Sequence, residues 1–89
     1  MNSYLTEEFR AHFRKLPQSV KEKARKNYRV WRQNLNHPSL QFKGVHSTEP
    51  IYSVRVGIGW RALGLREDDD IYWFWIGSHA EYDKLLNHL

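Results

Sequence analysis

The chain has 89 residues, room for one domain over 1–89 and not for two. Its 40 % hydrophobic and 15 % aromatic content is that of a globular protein, and the lack of cysteine excludes disulfide scaffolds, thiolate zinc sites and cysteine nucleophiles. The formal charge of +4 is unevenly spread: from Arg10 to Lys43, ten Lys and Arg residues meet one acid, Glu22. Such a surface suits nucleic acid, an anionic membrane or an acidic protein, whereas a merely solvated helix face usually interleaves glutamate with lysine.

The opening Met1-Asn-Ser-Tyr-Leu-Thr-Glu-Glu has neither a basic nor an apolar segment of the kind that directs export. No apolar run approaches the ~20 residues that span a bilayer. A cytoplasmic protein without a membrane partner is expected. Thr6 reads as an N-cap with Glu7 and Glu8 in the first turn, and Phe9, Phe13 and Leu16 recur at helical spacing, which predicts a short helix over about 7 to 15. Pro17 stops it. Ser19 and Glu22 have the S-x-x-E spacing of a capping box, and Val20, Ala24, Tyr28, Trp31 and Leu35 form one apolar stripe, which predicts a second helix to about Leu35. Lys21, Arg25, Arg29 and Arg32 follow one step round as a basic ridge.

After Asn36-His37-Pro38 the pattern becomes β-like, with strands expected near 40 to 46, 51 to 56, 60 to 66 and 71 to 77. Tyr72 to Ile76 is apolar on both faces and reads as a central strand. Turns at Glu49-Pro50, Gly57-Ile58-Gly59 and Glu67 to Asp70 make the strands an antiparallel meander. Tyr82, Leu85, Leu86 and Leu89 suggest a short C-terminal helix. The fold class is therefore α+β: two N-terminal helices on a four- to five-stranded, mainly antiparallel sheet, closed by a short helix.

If Gly57-Ile58-Gly59 is a three-residue hairpin loop, Val56 faces Trp60 and Arg55 stands opposite Arg61. Like charges at such a position destabilise the pair, so a bound anion is one reason for them. The alternative is that both reach into solvent or pair with Glu49 or Glu81. The next hairpin sets Arg61 opposite residues near Ile76, within reach of Ser78 and His79. Arg55, Arg61, His79 and Tyr82 can then converge. A histidine able to exchange a proton near neutral pH, beside arginines that stabilise a phosphorane, is equipment for metal-independent RNA cleavage through the 2′-OH.

Each of these residues has a plainer reading. His79 can be a helix N-terminal residue satisfied by backbone, and Tyr82, at helical spacing from three leucines, suits the core. His46, near Lys43, can supply a base or a phosphate contact, or be an incidental loop histidine. Asp68 to Asp70 lacks the spaced ligands of a calcium loop and reads as a solubilising hairpin tip. His12, His37 and His88 have no metal-ligand spacing, so no metal and no cofactor is expected.

The order of elements, with Leu40-Gln-Phe-Lys-Gly-Val45, Tyr52-Ser-Val-Arg-Val leading to Trp60-Arg61, and Ile76-Gly-Ser-His-Ala-Glu-Tyr82, resembles the RelE/ParE superfamily of toxins from toxin–antitoxin modules. The similarity covers nearly the whole chain, and the Gly-Ser-His ending is most similar to the histidine-bearing, ribosome-dependent mRNA interferases. The resemblance implies that Arg61 contacts the scissile phosphate, Arg55 adds charge beside it, His79 is the general acid or base, and Tyr82 orients or stacks a nucleotide. It also implies that Lys21, Arg25, Arg29 and Arg32 grip ribosomal RNA or message. The implied partners are a cognate antitoxin, the ribosome and mRNA.

Three departures accompany the resemblance. Ser53 stands where some members carry a basic residue, a charge that Lys43 or His46 would have to replace. His79 stands where other members carry arginine, and only Met1 to Leu5 are left for the usual first strand. The same fold also serves non-enzymatic, gyrase-inhibiting toxins and attenuated RNA-binding members, so those functions stand as alternatives.

Overall fold

The computed structural model describes all residues, 1 to 89. In chain order its elements are β1 (Asn2–Leu5), α1 (Glu7–Arg14), α2 (Gln18–Gln33), a 3₁₀ turn (Pro38–Leu40), β2 (Lys43–Gly44), β3 (Ile51–Gly57), β4 (Trp60–Glu67), β5 (Asp70–Ser78) and α3 (His79–His88). The five strands form one sheet in the order β1-β5-β4-β3-β2, antiparallel except where β1 runs parallel to β5. Asn2–Leu5 do form the first strand, and the α+β class holds.

Side-chain alternation along β3 to β5 divides the core into two layers. Val54, Val56, Ala62, Ile71, Trp73 and Ile76 face α1 and α2, where Leu16, Val20 and Trp31 meet them. Trp31 is 2 % exposed and packs edge-on against Trp73 and Phe42, with ring centroids 5.4 and 5.6 Å away. The opposite face carries a smaller cluster of Ile51, Leu63 and Trp75, covered by Tyr82 of α3. Helix α3 therefore lies across the sheet from the helical hairpin.

Three local expectations are corrected. Helix α2 has no capping box: Pro17 occupies the N-cap with no side-chain hydrogen bond, which leaves Ser19 inside the first turn. The box is instead at α3, where the Ser78 hydroxyl accepts from Glu81 N (3.2 Å) and Ser78 N and Oγ donate to the Glu81 carboxylate (3.4 and 2.9 Å). The strand expected over 40 to 46 shrinks to Lys43–Gly44, because Pro38 starts a 3₁₀ turn that buries Leu40, and Gln41 follows in a left-handed conformation (φ 48°). In the β3–β4 hairpin Gly57, not Val56, pairs with Trp60; Val56 is the extra residue of a bulge, and Gly59 supplies the positive φ of 77° at the turn.

Candidate active site at the β3–β4 hairpin

Cross-strand partners share a face, so the registers place the candidate residues directly. On the α3 side, one row runs Lys43, Ser53, Leu63 and Trp75, and the next runs Arg55, Arg61 and Gly77. The bulge at Val56 leaves Arg55 opposite Arg61, as the sequence suggested. At Gly77 the absence of a side chain is required: a Cβ there would lie 2.6 Å from the Trp75 ring. That close approach tucks the indole under the end of the strand that delivers His79.

The two arginines have no acidic counterpart. The only ion pairs are the Met1 amino group with Asp69 (3.8 Å) and His79 Nδ1 with Asp83 Oδ2 (3.2 Å). Glu81, one of the considered partners, is committed to the capping box, and Glu49 forms no pair. Arg61 Nη1 donates to the carbonyl of its own neighbour Trp60 (3.0 Å). Two like charges thus stand opposite each other on partly exposed positions without neutralisation, an arrangement that an anion would stabilise.

His79 opens α3, and its position is fixed twice. Its backbone N donates to the Gly59 carbonyl at the hairpin turn (2.7 Å), and Ser78 caps the helix immediately before it. The side chain is 47 % exposed, and its Nδ1 faces Asp83 one helical turn on. A carboxylate only accepts, so this contact assigns the proton to Nδ1 and leaves Nε2 as the nitrogen without a partner in the protein. Sequence reasoning missed Asp83, although the His-x-x-x-Asp spacing that brings the two together is visible there.

Tyr82 is placed differently from the nucleotide-stacking role the resemblance implied. It is 7 % exposed, packs on Trp75 (centroids 6.5 Å apart) and donates its hydroxyl to Ser53 Oγ (3.2 Å), itself 2 % exposed. A ring so enclosed offers no face to a base; it anchors α3 to the sheet, with the His79 ring 5.6 Å away. The same contact accounts for serine at position 53, which sits beneath the helix as the hydrogen-bond partner of Tyr82. Lys43 is exposed and pairs with Ser53 on this face, so it flanks the covered spot.

His46 is likewise employed internally. Its Nδ1 accepts from Thr48 N and Glu49 N (3.2 and 2.9 Å), so Nε2 carries the proton and donates to the Leu89 carbonyl (2.7 Å). It ties the β2–β3 loop to the C-terminal end of α3. On α2, Lys21 and Arg25 lie over the Phe13 ring (5.9 and 5.2 Å to its centroid) and Arg32 over Tyr28 (5.9 Å), while Arg29 is exposed. The ridge therefore follows the α1–α2 groove, away from the face that carries Arg61. Tyr72, stacked on Tyr4 near the acidic β4–β5 turn, has its phenol held above the ordinary range by desolvation first, then by Asp70, Tyr4 and Glu67. No three His, Asp or Glu side chains are grouped to hold a metal ion, and no helix is long and apolar enough to cross a membrane.

Residues 18–84 match the sequence model of the ParE-like toxin domain. No curated protein matches the chain in sequence. Among solved structures it is similar to a chain of the RelB–RelE antitoxin–toxin complex of Methanococcus jannaschii, with a TM-score of 0.71 and 15 % identity over 92 % of this chain and 96 % of that one. It is also similar to a chain of the archaeal RelE–RelB complex of Pyrococcus horikoshii, with a TM-score of 0.67 and 11 % identity over 88 % and 93 % of the two chains. The isolated RelE toxin of E. coli gives a TM-score of 0.63 and 15 % identity over 99 % and 98 %. At such identities the likeness is one of fold. With the family match over residues 18–84, it makes this chain a member of the ParE-like toxin domain family, within the RelE/ParE superfamily of toxin–antitoxin toxins.

Proposed function

We propose that this domain, residues 1–89, is a toxin that cleaves mRNA on the ribosome and is held inactive by a cognate antitoxin. The observation that carries the reading is the unpaired Arg55–Arg61 couple on the strands whose hairpin turn holds the backbone of His79. In the reaction the 2′-oxygen bonds to the adjacent phosphorus and the bond from phosphorus to the 5′-oxygen breaks. The 2′-OH proton leaves to water, and imidazolium His79 donates a proton from Nε2 to the departing 5′-oxygen. The products are a 2′,3′-cyclic phosphate and a free 5′-OH. Arg61, with Arg55 beside it, stabilises the charge that builds on the phosphoryl oxygens. Asp83 keeps the Nδ1 proton in place so that Nε2 presents the transferable one. Tyr82 serves the site by fixing α3.

The antitoxin reading is supported by fold likeness to chains of two RelB–RelE complexes. Ribosome and message follow from the histidine-bearing ending and the cationic α2. Message cleavage in a translating extract tests the proposal. His79→Ala and Arg61→Ala each lower the rate by about 10²–10³ or more, and undiminished cutting by both variants sinks it. A gyrase-directed, non-enzymatic mode is the second reading. It is favoured by the ParE-like family match and by the burial of Tyr82 and Ser53, which leaves fewer groups free for chemistry. A DNA-damage response on expression, with translation continuing, identifies that mode.

A further inference from the structure

A second concavity of about 280 Å³ opens at the free edge of β3, on the other side of the hairpin turn from His79. Lys23, Lys26 and Asn27 of α2, Ser39 of the 3₁₀ turn, and Arg55, Gly57 and Ile58 line it. Two lysines thus share one pocket with two side chains capable of hydrogen bonding, Arg55 stands at its wall, and no acid lines it. Glu22, one turn before Lys26, is 3.5 Å from Gln18 Nε2 and makes no ion pair.

The pocket is built rather than incidental. Asn27 donates its side-chain amide to the Val56 carbonyl, at the bulge, and so fixes α2 to the strand edge that β2 leaves uncovered. The Lys23 stem lies along Gly57, its Cδ 3.5 Å from where a Cβ would be. Arg55 borders this pocket while its strand register sets it on the α3 face opposite Arg61, so the pocket and the arginine couple meet at this residue.

We propose that Lys23 and Lys26 bind a backbone phosphate of the RNA strand next to the one that Arg55 and Arg61 hold, so that the strand crosses the hairpin turn at Gly57–Gly59. The choice of ligand rests on the RNA-cleaving reading above. The chemistry recognised is a phosphate oxyanion, and the lining favours nucleic acid over an acidic protein segment. Ile58 is the single apolar residue around the pocket, whereas a protein segment needs apolar anchors of the kind the α1–α2 groove provides. Ile58 is also 83 % exposed at the tip, where the crossing strand meets it.

The test uses the full chain and a 2′-O-methyl tetraribonucleotide, which binds but cannot be cleaved. By NMR titration the oligonucleotide is expected to shift the Asn27 side-chain amide and the Ser39 and Gly57 amides. In the Lys23→Gln/Lys26→Gln double variant affinity falls roughly tenfold, and the slope of log affinity against log salt decreases by about 0.7 for each phosphate left without its cation. Arg29→Gln, on the same helix but outside the pocket, has the smaller effect. Both lysines are exposed, so the double variant keeps the wild-type unfolding temperature.

An unchanged salt slope overturns the proposal. So does a pocket that inorganic phosphate fills as tightly as the oligonucleotide, which marks a free-anion site. Equal binding of a glutamate-rich decapeptide overturns it in favour of a protein partner. Binding at the pocket without message cleavage keeps Lys23 and Lys26 as an RNA phosphate site and removes the cleavage reading; cleavage insensitive to the double variant does the reverse.

Discussion

The two faces of the sheet differ in what they ask of the sequence. Toward α1 and α2 lie ten buried apolar residues, tryptophans among them, and the partly buried aromatics Phe9, Phe13, Tyr28 and Phe42 fill the margins. Toward α3 the buried apolar set is four residues, and Lys43, Ser53, Arg55 and Arg61 take positions that would otherwise be core. A sheet covered on both faces by apolar residues is stabler, but it has nowhere to put charge. Here one face supplies most of the stability, and the other trades burial for an arginine couple. The proposed site lies on the thinner side.

That comparison can be broken by experiment. The largest effect is expected at Trp73→Ala on the thick face. It removes a ring 3 % exposed and should destabilise the fold by about 3–5 kcal/mol, read by chemical denaturation. Toxicity is then lost for want of a folded chain. On the thin face His79→Ala should lower message cleavage by about 10²–10⁴ while leaving the denaturation midpoint unchanged, because the side chain is 47 % exposed. A large fall in stability there means that the two faces are not divided as described.

Tyr82→Phe sharpens the boundary between them. It removes the hydroxyl that Ser53 accepts from and should cost about 1 kcal/mol of stability with cleavage nearly intact. A hundredfold loss of cleavage at unchanged stability would return Tyr82 to the chemistry. Ser78→Ala deletes the α3 cap and should cost about 1 kcal/mol or less by the same measurement. Fraying of the first turn then shows as lost protection of the helix amides in hydrogen exchange.

The sequence carried the element order and the opposition of Arg55 and Arg61. The latter survived a wrong loop length because the bulge at Val56 preserves the pairing beyond it: three loop residues and a bulge plus two give the same partners. Capping was harder to read. Ser19-x-x-Glu22 and Ser78-x-x-Glu81 have one signature, and what separates them is Pro17, whose place at the N-cap draws Ser19 into the helix. The burial of Tyr82 follows from helical spacing, but its pairing with Ser53 joins positions 29 apart and has no local signal. The phosphate pocket draws on three separate segments of the chain, so only the fold assembles it.

The parallel pairing of β1 with β5 bears on how the chain folds. β5 lies between β1 and β4, so the first strand made has no partner until nearly the last one is available. The residues that close the sheet are contiguous with those that complete the site, since Ser78 ends β5 and His79 begins α3. Long-range pairing of this kind slows folding and makes it cooperative. A chain that stops short of β5 can pair β3 with β4 and set Arg55 opposite Arg61, yet it lacks His79, so the cluster on which the proposed function rests is complete only when the last strand and helix are in place.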